Sequence, residues 1–175
     1  YMKKTGISEV TKKPDLKAIE ELAATIWREH YTPIIGVAQV EYMLQKLQSV
    51  DSMSGQIKEG YKYFSIFKDN TLVGYFSFLP ERDALFLSKI YIEASQRGKG
   101  LSKEALNFIE SKATDYQKNA IRLTVNKYNT GSIQAYLKMG FVKTRALVID
   151  IGNGFVMDDY EMVKTISLLT SEQIF

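Results

Sequence analysis

The first third of the chain has the apolar spacing of helices. From Asp15 to about His30 the apolar residues recur at three- and four-residue steps, which places them on one face of a helix. They are Leu16, Ile19, Leu22, Ala23, Ile26 and Trp27. Pro14 and Asp15 supply a helix start, and Pro33 and Gly36 interrupt the pattern. A second helix is predicted from about Val40 to Leu47.

Two later pairs of segments have the pattern of β-hairpins. Tyr61 to Phe67 and Leu72 to Leu79 are rich in aromatic and β-branched residues, and the Asp69-Asn70 pair between them is typical of a turn. Phe141 to Ile151 and Phe155 to Ile166 flank Gly152-Asn153-Gly154, whose residues can take the positive φ values of a tight hairpin. Both pairs are predicted to be antiparallel.

Between the hairpins the chain alternates strands and helices. Ala84 to Ile92 is apolar nearly throughout, which is typical of a strand covered on both faces. A helix from Leu101 to about Tyr116, a strand from Ile121 to Val125 and a helix from Ser132 to Met139 are predicted next. The order predicts an α+β (α/β sandwich) fold, with a mixed, mostly antiparallel sheet of about six to seven strands and helices on both faces. We expect one domain over residues 2–175.

Composition excludes several kinds of chemistry. The sequence has no cysteine, so it has no disulfide, thiolate metal site or cysteine nucleophile, and the single His30 cannot build a histidine metal cluster. The net charge of +3 comes from interleaved acidic and basic residues, and no basic tract predicts a nucleic-acid or membrane partner. Because no run of about 18 apolar residues and no secretory signal is present, we expect a cytoplasmic protein.

The segment Arg97-Gly98-Lys99-Gly100-Leu101-Ser102 lies between the buried strand and a helix. At such a junction, backbone N–H groups and the positive end of the helix dipole point towards one spot. Glycines at 98 and 100 let the backbone approach an anion, while Arg97 and Lys99 add positive charge. The segment therefore predicts a phosphate or diphosphate ligand. The spacing fits neither the P-loop nor the dinucleotide fingerprint, which needs a third glycine where Lys103 stands.

Two motifs together resemble the GNAT superfamily of N-acetyltransferases. The loop is similar to the family's coenzyme A pattern Arg/Gln-x-x-Gly-x-Gly/Ala, met by Arg97 and Gly100 and departed from at Ser102. The segment from Asn129 to Phe141 is similar to the family's Asn-x-x-Ala/Ser-x-x-x-Tyr-x-x-x-Gly-Phe. The resemblance covers roughly Leu72 to Ile166 and implies the GNAT fold, with transfer of an acetyl group from acetyl-CoA to a primary amine.

The resemblance also implies roles for individual residues. Backbone groups of Ile90, Tyr91 and Ile92 would hold the pantetheine arm, and the loop from Arg97 to Ser102 would bind the diphosphate. Asn129 and Ser132 would contact the cofactor, although Asn129 is also a good helix N-cap. Tyr136 would act as the general acid that protonates the leaving thiolate; the alternative is a core aromatic residue.

The base and the acceptor are less defined by the sequence. Many family members have a glutamate where this chain has Ser88. Glu93 and Asp83, at the ends of the same strand, could act through water. In the family, the first helices and the last hairpin select the substrate. Trp27, His30 and Tyr31 are therefore candidate substrate residues, and the pair Asp158-Asp159 could attract a cationic amine.

Three further points stay open. The sequence does not identify the small-molecule or peptide amine, and it does not decide whether the protein is a homodimer. The missing glutamate leaves a second interpretation, a non-catalytic coenzyme A-binding sensor or interaction module with the same fold.

Overall fold

The computed structural model describes residues 4–167, and in this part of the chain the backbone forms seven strands and five α-helices. In chain order these are β1 (Thr5–Val10), α1 (Lys13–Ile35), α2 (Val37–Leu47), α3 (Val50–Lys58), β2 (Lys62–Lys68), β3 (Thr71–Pro80), β4 (Leu85–Ile92), α4 (Leu101–Asp115), β5 (Ala120–Asn126), α5 (Thr130–Lys138), β6 (Val142–Gly152) and β7 (Phe155–Thr165). A short 3-10 turn over Ala94–Gln96 follows β4.

The strands form one sheet in the order β1-β2-β3-β4-β5-β7-β6. The pairs β1–β2, β2–β3, β5–β7 and β6–β7 are antiparallel, whereas β4 and β5 are parallel, with Leu85 opposite Ile121 and Phe86 opposite Arg122. A mixed, mostly antiparallel sheet of seven strands confirms the predicted α+β class.

Both predicted hairpin turns are present. Asp69 and Asn70 have φ values of 50° and 66°, which suit the two-residue connection between β2 and β3. Gly152, Asn153 and Gly154 also have positive φ, at 89°, 55° and 78°, between β6 and β7. Local turn chemistry therefore determined these connections.

Three elements of the first third differ from the prediction. Helix α1 continues past Pro33 to Ile35, because a proline in the last turn removes only one hydrogen bond of the helix. It ends at Gly36, whose φ is 85° and whose N–H bonds to the carbonyl of Thr32. Helix α3 and strand β1 were not predicted, since only Met53 of α3 is buried and β1 is mostly exposed or half-buried.

Internal contacts divide the chain into two compact units. The first unit covers Tyr1–Leu79 and Ser88–Ala105, and the second covers Pro80–Leu87 and Leu106–Phe175. Large side chains fully buried in the first unit include Leu16, Ile19, Met53, Tyr63, Tyr75 and Phe76. In the second unit they include Leu85, Ile109, Ile121 and Phe141.

Candidate active site

The glycine loop lies where the sequence predicts it, in the first unit. Arg97, Gly98, Lys99 and Gly100 are exposed, and α4 begins at Leu101 directly after them. Gly98 and Gly100 have φ values of 71° and 83°, in the left-handed region that favours glycine. A Cβ added at either glycine would meet no heavy atom of the described residues within 4 Å. Open space therefore adjoins the backbone at both positions.

The start of α4 offers hydrogen-bond donors to an anion. The first helical hydrogen bond of α4 runs from the N–H of Glu104 to the carbonyl of Gly100 at 3.0 Å, so the N–H groups that precede Glu104 in the first turn have no acceptor within the helix. Arg97 holds the loop against the end of β4, because its Nε donates to the carbonyl oxygen of Ile92 at 3.0 Å. Donors, positive charge and glycines at one exposed turn fit a diphosphate group.

Strand β4 packs closely against β3 beside this loop. The N–H of Glu93 donates to the carbonyl of Val73 at 2.8 Å. At Gly74 of β3 an added Cβ would lie 2.7 Å from the carbonyl oxygen of Tyr91 and 2.8 Å from Cδ1 of Ile92. Only glycine therefore fits at position 74 without moving β4. Nothing in the sequence pattern identified this constraint.

The three predicted substrate residues lie together in the first unit, and two of them pack close to Tyr91. The indole of Trp27, which is 4% exposed, stacks on Tyr31 at 4.4 Å and contacts Tyr91 edge-on at 5.5 Å. His30 packs edge-on against Tyr31 at 4.8 Å. Tyr31 and Tyr91 are half-buried. Trp27 is thus a core residue, whereas His30, Tyr31 and Tyr91 are partly accessible.

Lys89 of β4 is a buried residue that sequence reasoning missed. The strand was predicted to be covered on both faces, but only alternate positions are buried over most of it, and Lys89, at 5% exposure, occupies one of them. Its Nζ donates to the carbonyl of Leu47 at 2.6 Å, to Oε1 of Gln56 at 3.1 Å and to the hydroxyl of Tyr63. Burial lowers the pKa of Lys89 to about 7.

In the second unit, the predicted cofactor residues lie at the start of α5 and the predicted acid lies in its last turn. Asn129 is the N-cap residue and is 3% exposed; its carbonyl accepts the N–H of Ile133 at 3.1 Å. Ser132 is half-buried one turn into the helix. The ring of Tyr136, also half-buried, packs edge-on against Phe141 at 5.6 Å. Tyr136 is therefore not sealed in the core.

Strand β7 carries three acidic residues in different environments. Asp158 pairs with Nζ of Lys127 at 2.7 Å, and Glu161 pairs with Arg145 at 3.0 Å. Asp159 is 4% exposed and hydrogen-bonds to Thr124. Burial raises the pKa of Asp159 to about 6, against the lowering effect of the Thr124 hydrogen bond.

None of the three positions that bear on the base in the sequence is fully buried. Ser88 and Glu93 are half-buried, and Asp83 is exposed. Among the described residues no group of three histidine, cysteine or acidic side chains is arranged to hold a metal ion. Within residues 4–167, no helix is both long and apolar enough to cross a membrane.

Comparison with known proteins identifies a family. The family described as the acetyltransferase (GNAT) family matches residues 17–141, which is more than half of the chain and includes residues of both units.

Solved structures share the fold across almost the whole chain. The PaiA N-acetyltransferase of Thermoplasma acidophilum, solved in complex with coenzyme A, is 20% identical, with a TM-score of 0.78 over 93% of this chain and 99% of that one. The ribosomal-protein-S18-alanine N-acetyltransferase of Escherichia coli is 16% identical, with a TM-score of 0.71 over 98% and 100%. A GNAT family acetyltransferase of Elizabethkingia anophelis with acetyl-CoA bound is 13% identical, with a TM-score of 0.61 over 93% and 98%.

Proposed function

Because the chain belongs to the GNAT acetyltransferase family, we propose that it is an N-acetyltransferase that uses acetyl-CoA to acetylate a primary amine. The observation that carries the proposal is the exposed turn from Arg97 to Gly100, with two left-handed glycines directly ahead of the N-terminus of α4. When bound, acetyl-CoA would supply a thioester whose carbonyl carbon is open to attack by an amine.

The residues of the first unit are proposed to bind and orient the donor. N–H groups of the loop from Arg97 to Ser102 bind its diphosphate, and Arg97 and Lys99 offset the negative charge. Backbone groups of Ile90, Tyr91 and Ile92 hold the pantetheine arm, and one amide polarises the thioester carbonyl. The close fit of Gly74 against Tyr91 and Ile92 supports this role, because it fixes the backbone of β4.

Cofactor binding and proton donation are the roles proposed for residues of α5. Asn129 and Ser132 contact the cofactor. Tyr136 donates its phenolic proton to the departing thiolate, which lowers the energy of the step in which the thioester is cleaved. Its half-buried position supports the role, since a proton donor must be reachable from a ligand.

The aromatic residues beside Tyr91 are proposed to form the acceptor wall. Tyr31 and His30 are half-buried, and the buried Trp27 stacks on Tyr31 and holds its ring in place. An amine must come within about 3.5 Å of the reacting carbon to attack it, so residues packed near Tyr91 are well placed to select it.

We also propose that the enzyme acts in the cytoplasm as a homodimer.

A second candidate function rests on one specific feature. Ser88 stands where many members of the family have a glutamate, which suits a coenzyme A-binding sensor or interaction module without chemistry. In this alternative the loop still binds coenzyme A, but Tyr136 has no catalytic role.

The test is thiol release from acetyl-CoA by the purified protein with polyamines, amino acids, aminoglycosides and lysine peptides. Binding of coenzyme A is followed in parallel by calorimetry. Turnover with one class of amine, together with saturable binding, supports the transferase and identifies the acceptor class. Tight binding without turnover on any amine favours the sensor, and absence of binding contradicts both.

A further inference from the structure

Strand β6 lies at the edge of the sheet. Its 11 residues, Val142–Gly152, pair with β7 on one side, and within residues 4–167 no strand lies on the other side. In an antiparallel pair only half of the backbone N–H and C=O groups point to the neighbouring strand, so β6 turns the other half outwards. A long edge of this kind is a template for a further strand, and proteins that stay monomeric usually cover, shorten or interrupt it.

The middle of β6 is apolar and exposed. Ala146-Leu147-Val148-Ile149 contains no proline and no charge, and the pairing with β7 is regular from Arg145 to Asp150. Val148 is 67% exposed and Ile149 is 42% exposed. Because neighbouring residues of a strand point to opposite faces, apolar surface is exposed on both faces of this edge. A helix or loop on one face would cover only one of these side chains, whereas an added strand brings side chains to both faces and pairs the backbone.

The charges of β6 favour a second copy of the same strand. Counted along the pairing with β7, Lys143 and Asp150 lie three positions before and three positions after Leu147, so both point to the same face of the sheet. A two-fold axis through Leu147, perpendicular to the sheet, pairs β6 antiparallel with its copy and keeps each face. Each Lys143 then comes opposite Asp150 of the second copy. Parallel pairing in the same register would set like charges side by side.

We propose that two copies of this chain form a dimer through β6, by antiparallel pairing of the segment Arg145–Asp150 about a two-fold axis at Leu147. This interface belongs to the homodimer proposed above, so it rests on that part of the proposed function and not on acetyl transfer. Around the axis Leu147 meets Leu147 and Val148 meets Ala146, so the apolar run of one copy covers that of the other. At each end a pair of Lys143 and Asp150 fixes the register.

The oligomeric state of the purified full chain tests the interface. Sedimentation equilibrium from about 2 to about 200 µM should show a reversible monomer–dimer equilibrium for the wild type. Val148→Lys places a charge in the apolar middle of the edge and should raise the dissociation constant of the dimer at least about tenfold. Val148 is exposed in the single chain, so the unfolding midpoint of dilute variant protein should stay within about 2 °C of the wild type.

A valine on another element supplies the matched control. Val37, on α2 in the first unit, is 63% exposed, and Val37→Lys introduces the same charge there. The dissociation constant of this variant should stay within about twofold of the wild type.

A charge exchange tests the antiparallel register. Lys143→Asp and Asp150→Lys, each alone, put like charges opposite each other at both ends of the interface and should weaken the dimer at least about fivefold. The double variant Lys143→Asp/Asp150→Lys restores opposite charges, so its dissociation constant should return to within about twofold of the wild type. Asp150 also accepts the N–H of Gly152 in its own chain at 2.8 Å. That contact is lost in both Asp150 variants, so only the charge pairing accounts for a recovery.

Three results would overturn the proposal. They are a wild type that stays monomeric up to about 200 µM, an unchanged dissociation constant in Val148→Lys, and a double charge variant as weak as the single ones. Thiol release from acetyl-CoA, assayed on the same wild-type samples, reports separately on the proposed enzyme. A dimer that responds to these variants but acetylates no amine would remove the proposed activity and keep the interface.

Discussion

The amino group of Lys89 donates a hydrogen bond to the carbonyl oxygen of Leu47, 2.6 Å away, so the middle of β4 is joined to the last residue of α2. Gln56 accepts from Lys89 and from the Tyr63 hydroxyl, which brings α3 and β2 into the same network. Lys89 directly precedes Ile90, the first of the three proposed pantetheine-binding residues. The network therefore fixes the strand on which donor binding is proposed.

The first prediction concerns the stability of the Lys89→Met variant. The folded state holds Lys89 at a pKa of about 7, below the 10.5 of an unperturbed lysine, because the side chain is buried. Between these values the unfolded chain binds more protons, so Lys89 makes the wild type more stable as pH rises, by at most about 1.4 kcal/mol per pH unit. In Lys89→Met this contribution to the increase of the unfolding free energy with pH should be absent. Urea unfolding between pH 7 and pH 9 measures it.

A surface lysine supplies the control for that experiment. Lys46→Met changes an exposed side chain and leaves the buried network in place, so its pH dependence should match the wild type. Equal slopes for Lys89→Met and the wild type would show that Lys89 is not buried in the folded protein.

The second prediction is that Gly74→Ala weakens coenzyme A binding. The new methyl group would lie 2.7 Å from the carbonyl of Tyr91, so β4 must move by several tenths of an ångström. We expect about 1–3 kcal/mol of destabilisation and a loss of affinity of about fivefold or more, measured by urea unfolding and calorimetry. Gly6→Ala on β1 meets no described heavy atom within 4 Å and is the control. Unchanged affinity would mean that β4 backbone positions near Tyr91 do not matter for the cofactor.

The third prediction is that Gly100→Glu lowers the affinity for coenzyme A by about 100-fold or more. The substitution places a carboxylate at the proposed diphosphate site and forces φ 83° on a residue with a side chain. Gly55→Glu adds the same charge on α3 and should bind normally. Gly100→Ala isolates the backbone effect and should lose less affinity than the glutamate variant. Normal affinity of Gly100→Glu, measured by calorimetry, would remove the loop from the site.

The fourth prediction concerns the proton donor. Tyr136→Phe keeps the ring against Phe141 but removes the hydroxyl, so turnover should fall about 100-fold while coenzyme A affinity stays within about threefold. Tyr128→Phe, on the exposed loop before α5, is the matched control and should keep full activity. Steady-state kinetics of both variants decide the point, and equal turnover of Tyr136→Phe and the wild type would exclude Tyr136 from the mechanism.

Element prediction succeeded where local pattern was strong. Strands β2, β3, β6 and β7 were located within two residues at each end, because alternating or aromatic-rich stretches were bounded by residues suited to positive φ. Helix α3 was missed, since its small residues Ser52, Ser54 and Gly55 conceal any apolar period. Strand β1 was missed because its existence depends on pairing with β2, some 60 residues later along the chain.

The sequence alone determined features set by neighbouring residues: the hairpin turns, the α+β order, and a glycine turn that precedes α4. Tertiary structure decided which polar side chains are buried. In the sequence, Lys89 interrupts an apolar strand, and Asp159 belongs to a pair that could attract a cationic amine. Both are enclosed by residues distant in sequence: Leu47 lies 42 positions from Lys89, and Thr124 belongs to another strand than Asp159. Because desolvation depends on everything that surrounds a group, only the folded chain sets the pKa values of Lys89 and Asp159.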